Sequence, residues 1–154
     1  MGSVWIEAKE VRQPVSDVRS NREKHVIALF HAWSSGDLDA PRQYFTDRPV
    51  LEDSVGGRYE GWHAIRAYFG HGLERYPDLA LVPTGEFWHR EDGLALTWTM
   101  SATQTEPNLG AEYVGKRWTV PGMSFVVFDG DRVSLEVDYH DGGARLRSLQ
   151  SNLA

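Results

Sequence analysis

Asp141 is the residue whose place in the sequence best suits proton transfer. It follows an alternating run whose apolar members are Val133, Leu135, Val137 and Tyr139. Side chains two positions apart share one face of a strand, so the alternation predicts that Asp141 points inward with the apolar set. Burial raises the pKa of an unpaired carboxyl group, which makes its carboxylate a better base toward a carbon acid. We therefore predict that Asp141 is a catalytic acid or base, with a simple turn at the strand end as the alternative.

Asp53 is the second predicted catalytic residue. It ends a short extended segment in which Leu51 and Asp53 share a face. Two inward carboxylates in different environments would divide the acid and base roles between them. The alternative is a turn-forming aspartate ahead of two glycines. The alternation that turns Asp141 inward also predicts that Glu136 and Asp138 are outward surface charges.

Aromatic residues are frequent, with 6 Trp, 6 Tyr and 6 Phe in the chain. Helical spacing puts Trp33 on the inner stripe of a helix, and strand alternation puts Trp98 on an apolar face. Large rings on a sheet either pack a core or line a pocket for a flat ligand. We predict a pocket for a small hydrophobic molecule, with plain core packing as the alternative. Its predicted lining includes Trp33, Trp98, Trp118 and Tyr139.

Composition and motif spacing argue against several classes of function. The formal net charge of −6 disfavours binding to a phosphate backbone, and the absence of cysteine excludes zinc–thiolate sites and thiol nucleophiles. The segment Gly110–Lys116 has P-loop spacing, but Arg117 replaces the magnesium-binding Ser or Thr and a strand follows. The six histidines show no metal-binding spacing. We therefore predict no nucleic-acid partner, no metal and no cofactor.

The organisation of the chain predicts one soluble domain. Residues 1–20 show no clear hydrophobic period and are predicted to form an N-terminal arm, with a single domain over 21–150. No apolar run approaches the ~20 residues of a membrane span, and the N-terminus lacks an apolar signal core. We expect a cytoplasmic protein without a membrane partner.

Helix signals precede strand signals along the chain, which is typical of an α+β domain. Helices are predicted from Ser16 to Gly36, from Asp37 to just before Pro49, and over about 61–76. Short extended pieces at 50–53 and 58–60 precede the third helix. Antiparallel strands are predicted at about 79–90, 94–105, 113–128 and 132–141. The sheet must bury its apolar face against the three N-terminal helices.

Several motifs together resemble the nuclear-transport-factor-like superfamily, which includes ketosteroid isomerases and SnoaL-like polyketide cyclases. They are Ser35–Asp39, Leu51–Gly57, Gly61–Phe69 and the C-terminal run from Gly115 to Asp141. The resemblance implies a cone-shaped, curved antiparallel sheet wrapped on three N-terminal helices, the cystatin-like roll. It also implies a deep pocket and a homodimer formed through the sheet.

The resemblance assigns roles to individual positions. Asp53 matches the general base of ketosteroid isomerases, and Asp141 matches the acid that SnoaL-like cyclases carry on their last strand. The oxyanion-hole tyrosine of the isomerases falls on Leu29, a position expected in the pocket wall, and their second acid falls near Ser124. Both donors are missing, which argues against steroid isomerisation by that mechanism.

These observations lead to one main functional hypothesis and two alternatives. The main hypothesis is a cofactor-independent enzyme, in which Asp141 with Asp53 moves a proton during cyclisation, isomerisation or dehydration of a small cyclic or polyketide-like molecule. The first alternative is a non-catalytic small-molecule-binding or dimerisation module. The second is an epoxide hydrolase of the same fold, which requires an arginine beside a pocket carboxylate.

Overall fold

The computed structural model describes residues 15–153, so most of the predicted arm lies outside the described part of the chain. Within it, the helices are Val15–Trp33 (α1), Trp62–Arg75 (α2) and Ala144–Ser151 (α3). The strands are Phe45–Asp53 (β1), Gly57–Glu60 (β2), Ala80–His89 (β3), Gly93–Thr103 (β4), Arg117–Asp129 (β5) and Arg132–His140 (β6). The α+β class is confirmed.

The arrangement of helices differs from the prediction at two places. The second predicted helix is a short 3₁₀ turn at Ala40–Tyr44, because only a few residues separate the preceding loop from β1. The last helix, α3, lies at the C-terminus, where no helix was predicted, so the three helices are not all N-terminal. No helix among residues 15–153 is both long and apolar enough to cross a membrane.

One six-stranded sheet of order β2-β1-β6-β5-β4-β3 carries most of the polar groups described below. Its neighbouring strands pair antiparallel except for β1 and β6, which run parallel, so the predicted all-antiparallel sheet is wrong at this pair. Parallel pairing brings the C-terminal ends of β1 and β6 to the same edge. Asp53 and Asp138 are register partners there.

A bulge in β6 decides which of its residues face the interior. Phe128 pairs with Val133, but the neighbouring Val127 pairs with Leu135. Ser134 is therefore one extra residue on β6. Because side chains alternate with a period of two, one extra residue moves every later side chain to the opposite face of the sheet.

The bulge makes the predicted facing of the end of β6 wrong. Glu136, Asp138 and His140 line the interior cavity, although the alternation predicted that the two acids were surface charges. Tyr139 lies on the outer face and is 51% exposed, although it was predicted inside. The polar residues of the alternating run, and not its apolar residues, therefore line the cavity at this end of β6.

Two buried clusters hold the helices against the sheet. The larger one joins α1 to the central strands, and α1 contributes Val26, Leu29, Phe30 and Trp33 to it. The smaller one lies at the other end of β5, where Trp118 and Tyr76 pack with Leu149 of α3. Both clusters leave side chains in the wall of one cavity, because Trp33 and Trp118 line it from opposite clusters.

Candidate active site

A cavity of about 450 Å³ lies on the inner face of the sheet. Its apolar lining includes Phe30, Trp33, Leu51, Phe69, Leu81, Trp98, Met100, Trp118 and Val120. Its polar lining includes Asp53, Tyr68, Glu136, Asp138 and His140, with Arg75, Asp141 and Arg145 also on its wall. A largely apolar hollow with a few convergent polar groups is the usual form of a small-molecule site.

Ser124, Asp138 and Asp53 form a polar row across three strands. Asp138 is the register partner of Ser124 on β5 and of Asp53 on β1. The hydroxyl of Ser124 donates to Oδ1 of Asp138 at 2.5 Å, and Nε1 of Trp98 donates to the Ser124 hydroxyl at 2.7 Å. The indole of Trp98 thus orients Ser124, and Ser124 orients the carboxyl group of Asp138.

Asp53 and His140 form an ion pair at the end of this row. Nε2 of His140 lies 3.2 and 3.1 Å from the two carboxylate oxygens of Asp53, and both side chains are largely buried. The backbone N–H groups of Val55 and Gly56 donate to Oδ1 of Asp53 at 2.8 and 2.7 Å. The other ring nitrogen of His140, Nδ1, makes no hydrogen bond within residues 15–153.

The surroundings shift the pKa values of this pair in opposite directions. Burial opposes the ionisation of Asp53, but the bond from His140 and the two backbone N–H groups outweigh it and hold the pKa of Asp53 below its ordinary value. The bond to Asp53 raises the pKa of His140 against the effect of burial. The pair therefore favours a carboxylate beside an imidazolium.

The pKa values of the two acids of β6, Glu136 and Asp138, are both raised. Burial raises the pKa of Asp138 to about 7, opposed by the bond from Ser124 and increased by the negative charge of Asp53. Burial and then the charge of Asp138 raise the pKa of Glu136 well above its ordinary value. Nε1 of Trp33 donates to Glu136 at 3.3 Å. At neutral pH the site thus holds an acid that exists in both protonation states.

Two glycines let aromatic side chains approach this cluster. A Cβ on Gly56 would lie 2.2 Å from the hydroxyl of Tyr68, and a Cβ on Gly122 would lie 2.2 Å from the indole of Trp98. Contacts this short do not occur between real atoms, so a side chain at either position would displace the ring. Burial and the neighbouring Asp53 raise the pKa of Tyr68, which keeps its hydroxyl protonated.

The structure places some of the predicted site residues together and separates others. Asp53, Trp33, Trp98 and Trp118 line the cavity. Leu29 is fully buried in the α1 cluster and does not line the cavity, because the inner stripe of α1 packs it against the sheet. Tyr139 is excluded from the cavity by the bulge in β6.

Asp141 does not have the predicted burial. Its side chain is 61% exposed on the cavity rim, where it pairs with Arg147. The backbone N–H of Gly143 donates to it at 2.7 Å, and this bond and the arginine hold its pKa below the ordinary value. The turn interpretation describes its geometry. The acid inside the cavity is Asp138. The alternation of apolar and polar residues could not identify it, because that pattern does not show the bulge at Ser134.

Two further expectations concern groups beside the acids. No arginine within residues 15–153 donates a hydrogen bond to Asp53, Glu136 or Asp138, whereas Arg147 donates one to the exposed Asp141 on the cavity rim. In the same part of the chain, no group of three or more His, Asp or Glu side chains is arranged to hold a metal ion.

Comparison with known proteins identifies the family and the fold of the chain that carries this site. The sequence profile of the SnoaL-like domain matches residues 26–136. A proposed polyketide cyclase from Acidithiobacillus ferrooxidans is 22% identical over 90% of this chain and 99% of its own, with a TM-score of 0.73.

Two other solved structures show the same similarity. The proposed hydroxylase AclR from Streptomyces galilaeus is 21% identical over 86% of this chain and 97% of its own, with a TM-score of 0.69. A protein with a ketosteroid isomerase-like fold from Catenulispora acidiphila is 14% identical over 82% and 92%, with a TM-score of 0.72. Identities this low establish the shared fold alone. A search of curated proteins gives no significant match.

Proposed function

The chain belongs to the SnoaL-like domain family, and from this premise we propose that it is a cofactor-independent acid–base enzyme. Its substrate would be a small hydrophobic, cyclic or polyketide-like molecule with an acidic C–H beside a carbonyl group. The observation that carries the proposal is the pairing of Asp138 with Asp53 in the polar row, with His140 bonded to Asp53, inside a largely apolar cavity.

The carboxylate of Asp138 is the proposed base. A base of pKa near the working pH combines a large ionised fraction with good proton affinity. The C–H bond of the substrate breaks, its proton passes to Asp138, and the electron pair moves onto the carbonyl oxygen. Ser124 keeps the carboxylate oriented, because its hydroxyl bonds one oxygen and leaves the other for the proton.

The imidazolium of His140 is the proposed partner of the developing enolate oxygen. Asp53 holds Nε2, which leaves Nδ1 as the donor toward a ligand. A charged donor in a site from which water is excluded stabilises developing negative charge more strongly than water does. In a cyclisation the enolate carbon then attacks a second carbonyl group, and the alkoxide that forms takes the proton from Asp138. In an isomerisation an enolate conjugated with a C=C bond regains that proton at its far carbon.

The cavity supports a ring-shaped substrate. Its volume of about 450 Å³ falls within the range of sites for small organic ligands. The indoles of Trp33 and Trp98 each use their N–H on a group of the acid cluster, and ring atoms of both line the cavity. A flat aliphatic or aromatic ring system fits walls of this kind.

Deuterium exchange tests this proposal without knowledge of the natural substrate. A panel of bicyclic ketones in D₂O is followed by proton NMR for loss of the α-hydrogen signal. We expect the protein to accelerate exchange for at least one ketone, and Asp138→Asn to reduce the acceleration by ~10²–10⁴-fold. Asp141→Asn, an exposed acid three residues away, is the matched control and should retain the rate.

Either of two results contradicts the assignment. Exchange at the buffer rate across the whole panel favours the alternative of a binding module. Exchange that survives in Asp138→Asn but is lost in Asp141→Asn would show that Asp141, on the cavity rim, is the catalytic acid or base.

We further propose that the outer face of the sheet forms a homodimer interface. Trp88, Ala95, Phe125 and Val137 are successive register partners across β3 to β6 and make an apolar row. Trp88 is 50% exposed and Phe125 is 37% exposed. Exposed aromatic residues in a contiguous row are typical of a surface that meets a partner.

A further inference from the structure

Arg145 lies on the cavity wall at the end of the cavity where Tyr76 and Trp118 meet. Its guanidinium carbon is 5.4 Å from the ring centre of Tyr76 and 5.9 Å from that of Trp118. It also donates a hydrogen bond to the Tyr76 hydroxyl. The two rings meet edge to face at 5.2 Å, so they form a rigid corner that fixes the guanidinium.

The charge of Arg145 is not neutralised by the residues around it. No carboxylate within residues 15–153 lies at ion-pair distance from it, whereas the neighbouring arginines of the rim are paired. Arg147 pairs with Asp141, and Arg75 lies 3.3 Å from Glu106. Aromatic rings attract a cation but do not cancel its charge, and they leave the N–H groups at the edge of the guanidinium plane available.

A second donor at this end also lacks an acceptor. Nε1 of Trp118 is buried and has no hydrogen-bond partner among the described residues. Buried donors are normally paired, so an unpaired one beside an unpaired cation points to a missing acceptor. Within residues 15–153, a cation without a counter-charge therefore lies beside a buried N–H donor without an acceptor.

The acids lie at the other end of the cavity. His140 is the register partner of Gly122, which is four residues from Trp118 along β5. At about 3.3 Å per residue, Trp118 lies roughly 13 Å along β5 from the position that pairs with His140, and roughly 20 Å from Ser124, which pairs with Asp138. The shorter span matches a molecule of two or three fused rings with a polar substituent at one end.

We propose that Arg145 binds a carboxylate group of the substrate and so sets the substrate's orientation in the cavity. The planar guanidinium matches a carboxylate in geometry, and an arginine held by stacking loses little freedom on binding. At the other end the cation, His140, is already paired with Asp53, so a carboxylated ring system would bind Arg145 and place its carbon acid at Asp138 and His140. This inference rests on the proposed function for the identity of the ligand, but not for its test.

Binding of a simple probe tests the inference without turnover. The probe is 2-naphthoate, and its neutral methyl ester is the comparison ligand. Dissociation constants are measured at pH 7 by quenching of tryptophan fluorescence and by calorimetry. A hydrogen bond to a charged group predicts that the wild-type protein binds the anion ~10-fold or more tightly than the ester.

Three variants separate the role of Arg145 from a general effect of charge. Arg145→Gln should abolish the preference for the anion while leaving binding of the ester unchanged. Arg145→Lys should retain part of the preference, because the charge stays while the planar stacking is lost. Arg147→Gln removes a positive charge two residues away on the same helix and should retain the full preference.

The outcomes are distinguishable from failure of the proposed function. Equal binding of acid and ester by the wild-type protein, or an unchanged preference in a folded Arg145→Gln, overturns the inference whatever the enzyme does. Loss of the preference in Arg147→Gln to the same degree also overturns it, since the effect would then be general charge. Asp138→Asn should lose exchange activity yet keep the preference, so the two proposals fail independently.

Discussion

Asp138 and Asp53 are register partners on parallel strands, yet their carboxyl groups accept hydrogen bonds from different donors. Asp53 accepts bonds from His140 and two backbone N–H groups, whereas Asp138 accepts a single bond from Ser124. The well-bonded acid therefore stays ionised and the poorly bonded one approaches neutrality. Two aspartates of one row thus acquire different tasks, because one supports the imidazolium and the other exchanges a proton.

Asp138 predicts a pH-dependent cost to stability. Its pKa rises from 3.8 to about 7 on folding, so the folded state binds more protons between these values and stability falls as pH rises through them. Asp138→Asn removes this cost. We expect the variant to gain stability relative to wild type at pH 8, by up to about 4 kcal/mol, and to show little gain at pH 4. Urea denaturation at the two pH values measures the difference.

The control for this experiment is Asp141→Asn. Its pKa is lowered, not raised, and its side chain is exposed, so it should give no gain at pH 8. A gain for Asp138→Asn that is equal at both pH values would show that the carboxyl group carries no burial cost, and would contradict the site as described.

The Asp53–His140 pair predicts a shifted histidine titration. The carboxylate raises the pKa of His140, so the imidazolium persists to higher pH than in an isolated histidine. In Asp53→Asn the pKa of His140 should fall, because burial then acts without the opposing charge. Histidine ring signals followed by NMR over pH 5–9 measure both values. An identical titration in the variant would mean that the two side chains are not paired in solution.

The pH dependence of the exchange rate should follow the change in the pKa of His140. The imidazolium form supports the enolate, so in Asp53→Asn the alkaline limb of the exchange rate should move to lower pH.

The two main helices and the strand segments could be predicted from sequence because their side chains follow regular periods. The spacing that gives Val26, Leu29, Phe30 and Trp33 one face predicts a helix there, and the structure confirms it as α1. The site could be predicted only in part. Asp53 was found through a motif and a shared face with Leu51, and it does line the cavity.

The remaining catalytic candidates escaped prediction for one physical reason. Facing along β6 depends on its pairing with β5, and the extra residue Ser134 reverses the facing of all residues after it. Local alternation describes either facing equally well, and it therefore predicts Glu136 and Asp138 outside and Asp141 inside. The pairing of β1 with β6, which brings Asp53 to Asp138, is a contact between distant parts of the chain and has no local signal.

Ser124 predicts the position of the acid limb of the pH profile. Its hydroxyl lowers the pKa of Asp138 by bonding the carboxylate. In Ser124→Ala the pKa of Asp138 should rise from about 7 to a higher value, so the acid limb of kcat/KM for exchange should move to higher pH. The rate at high pH should recover toward wild type. A profile that loses height at all pH values without moving would show that the serine does not act through Asp138.

The outer face of the sheet predicts a dimer that a single charge disrupts. Phe125 packs edge to face on Tyr139 in the middle of the apolar row. Phe125→Lys should convert the proposed dimer to a monomer, because a lysine at the centre of the interface would be desolvated. Val114→Lys places the same charge on an exposed loop residue outside the strands of the sheet and should leave the dimer intact. Sedimentation velocity measures both, and a wild-type monomer at all concentrations contradicts the interface.

Gly122 predicts that the acid cluster depends on an open position in β5. The Cβ of an alanine there would overlap the ring of Trp98, which must then move and release Ser124. We expect Gly122→Ala to cost about 1–3 kcal/mol of unfolding free energy, as other overpacking substitutions do, and to change the tryptophan emission.

Gly72→Ala is the matched control, because its Cβ meets no atom within 4 Å and alanine favours a helix interior. It should be neutral or stabilising by up to about 1 kcal/mol. If Gly122→Ala matches it in stability and retains the exchange rate, Trp98 is not held against β5, and the chain of bonds from the indole through Ser124 to Asp138 does not position the base.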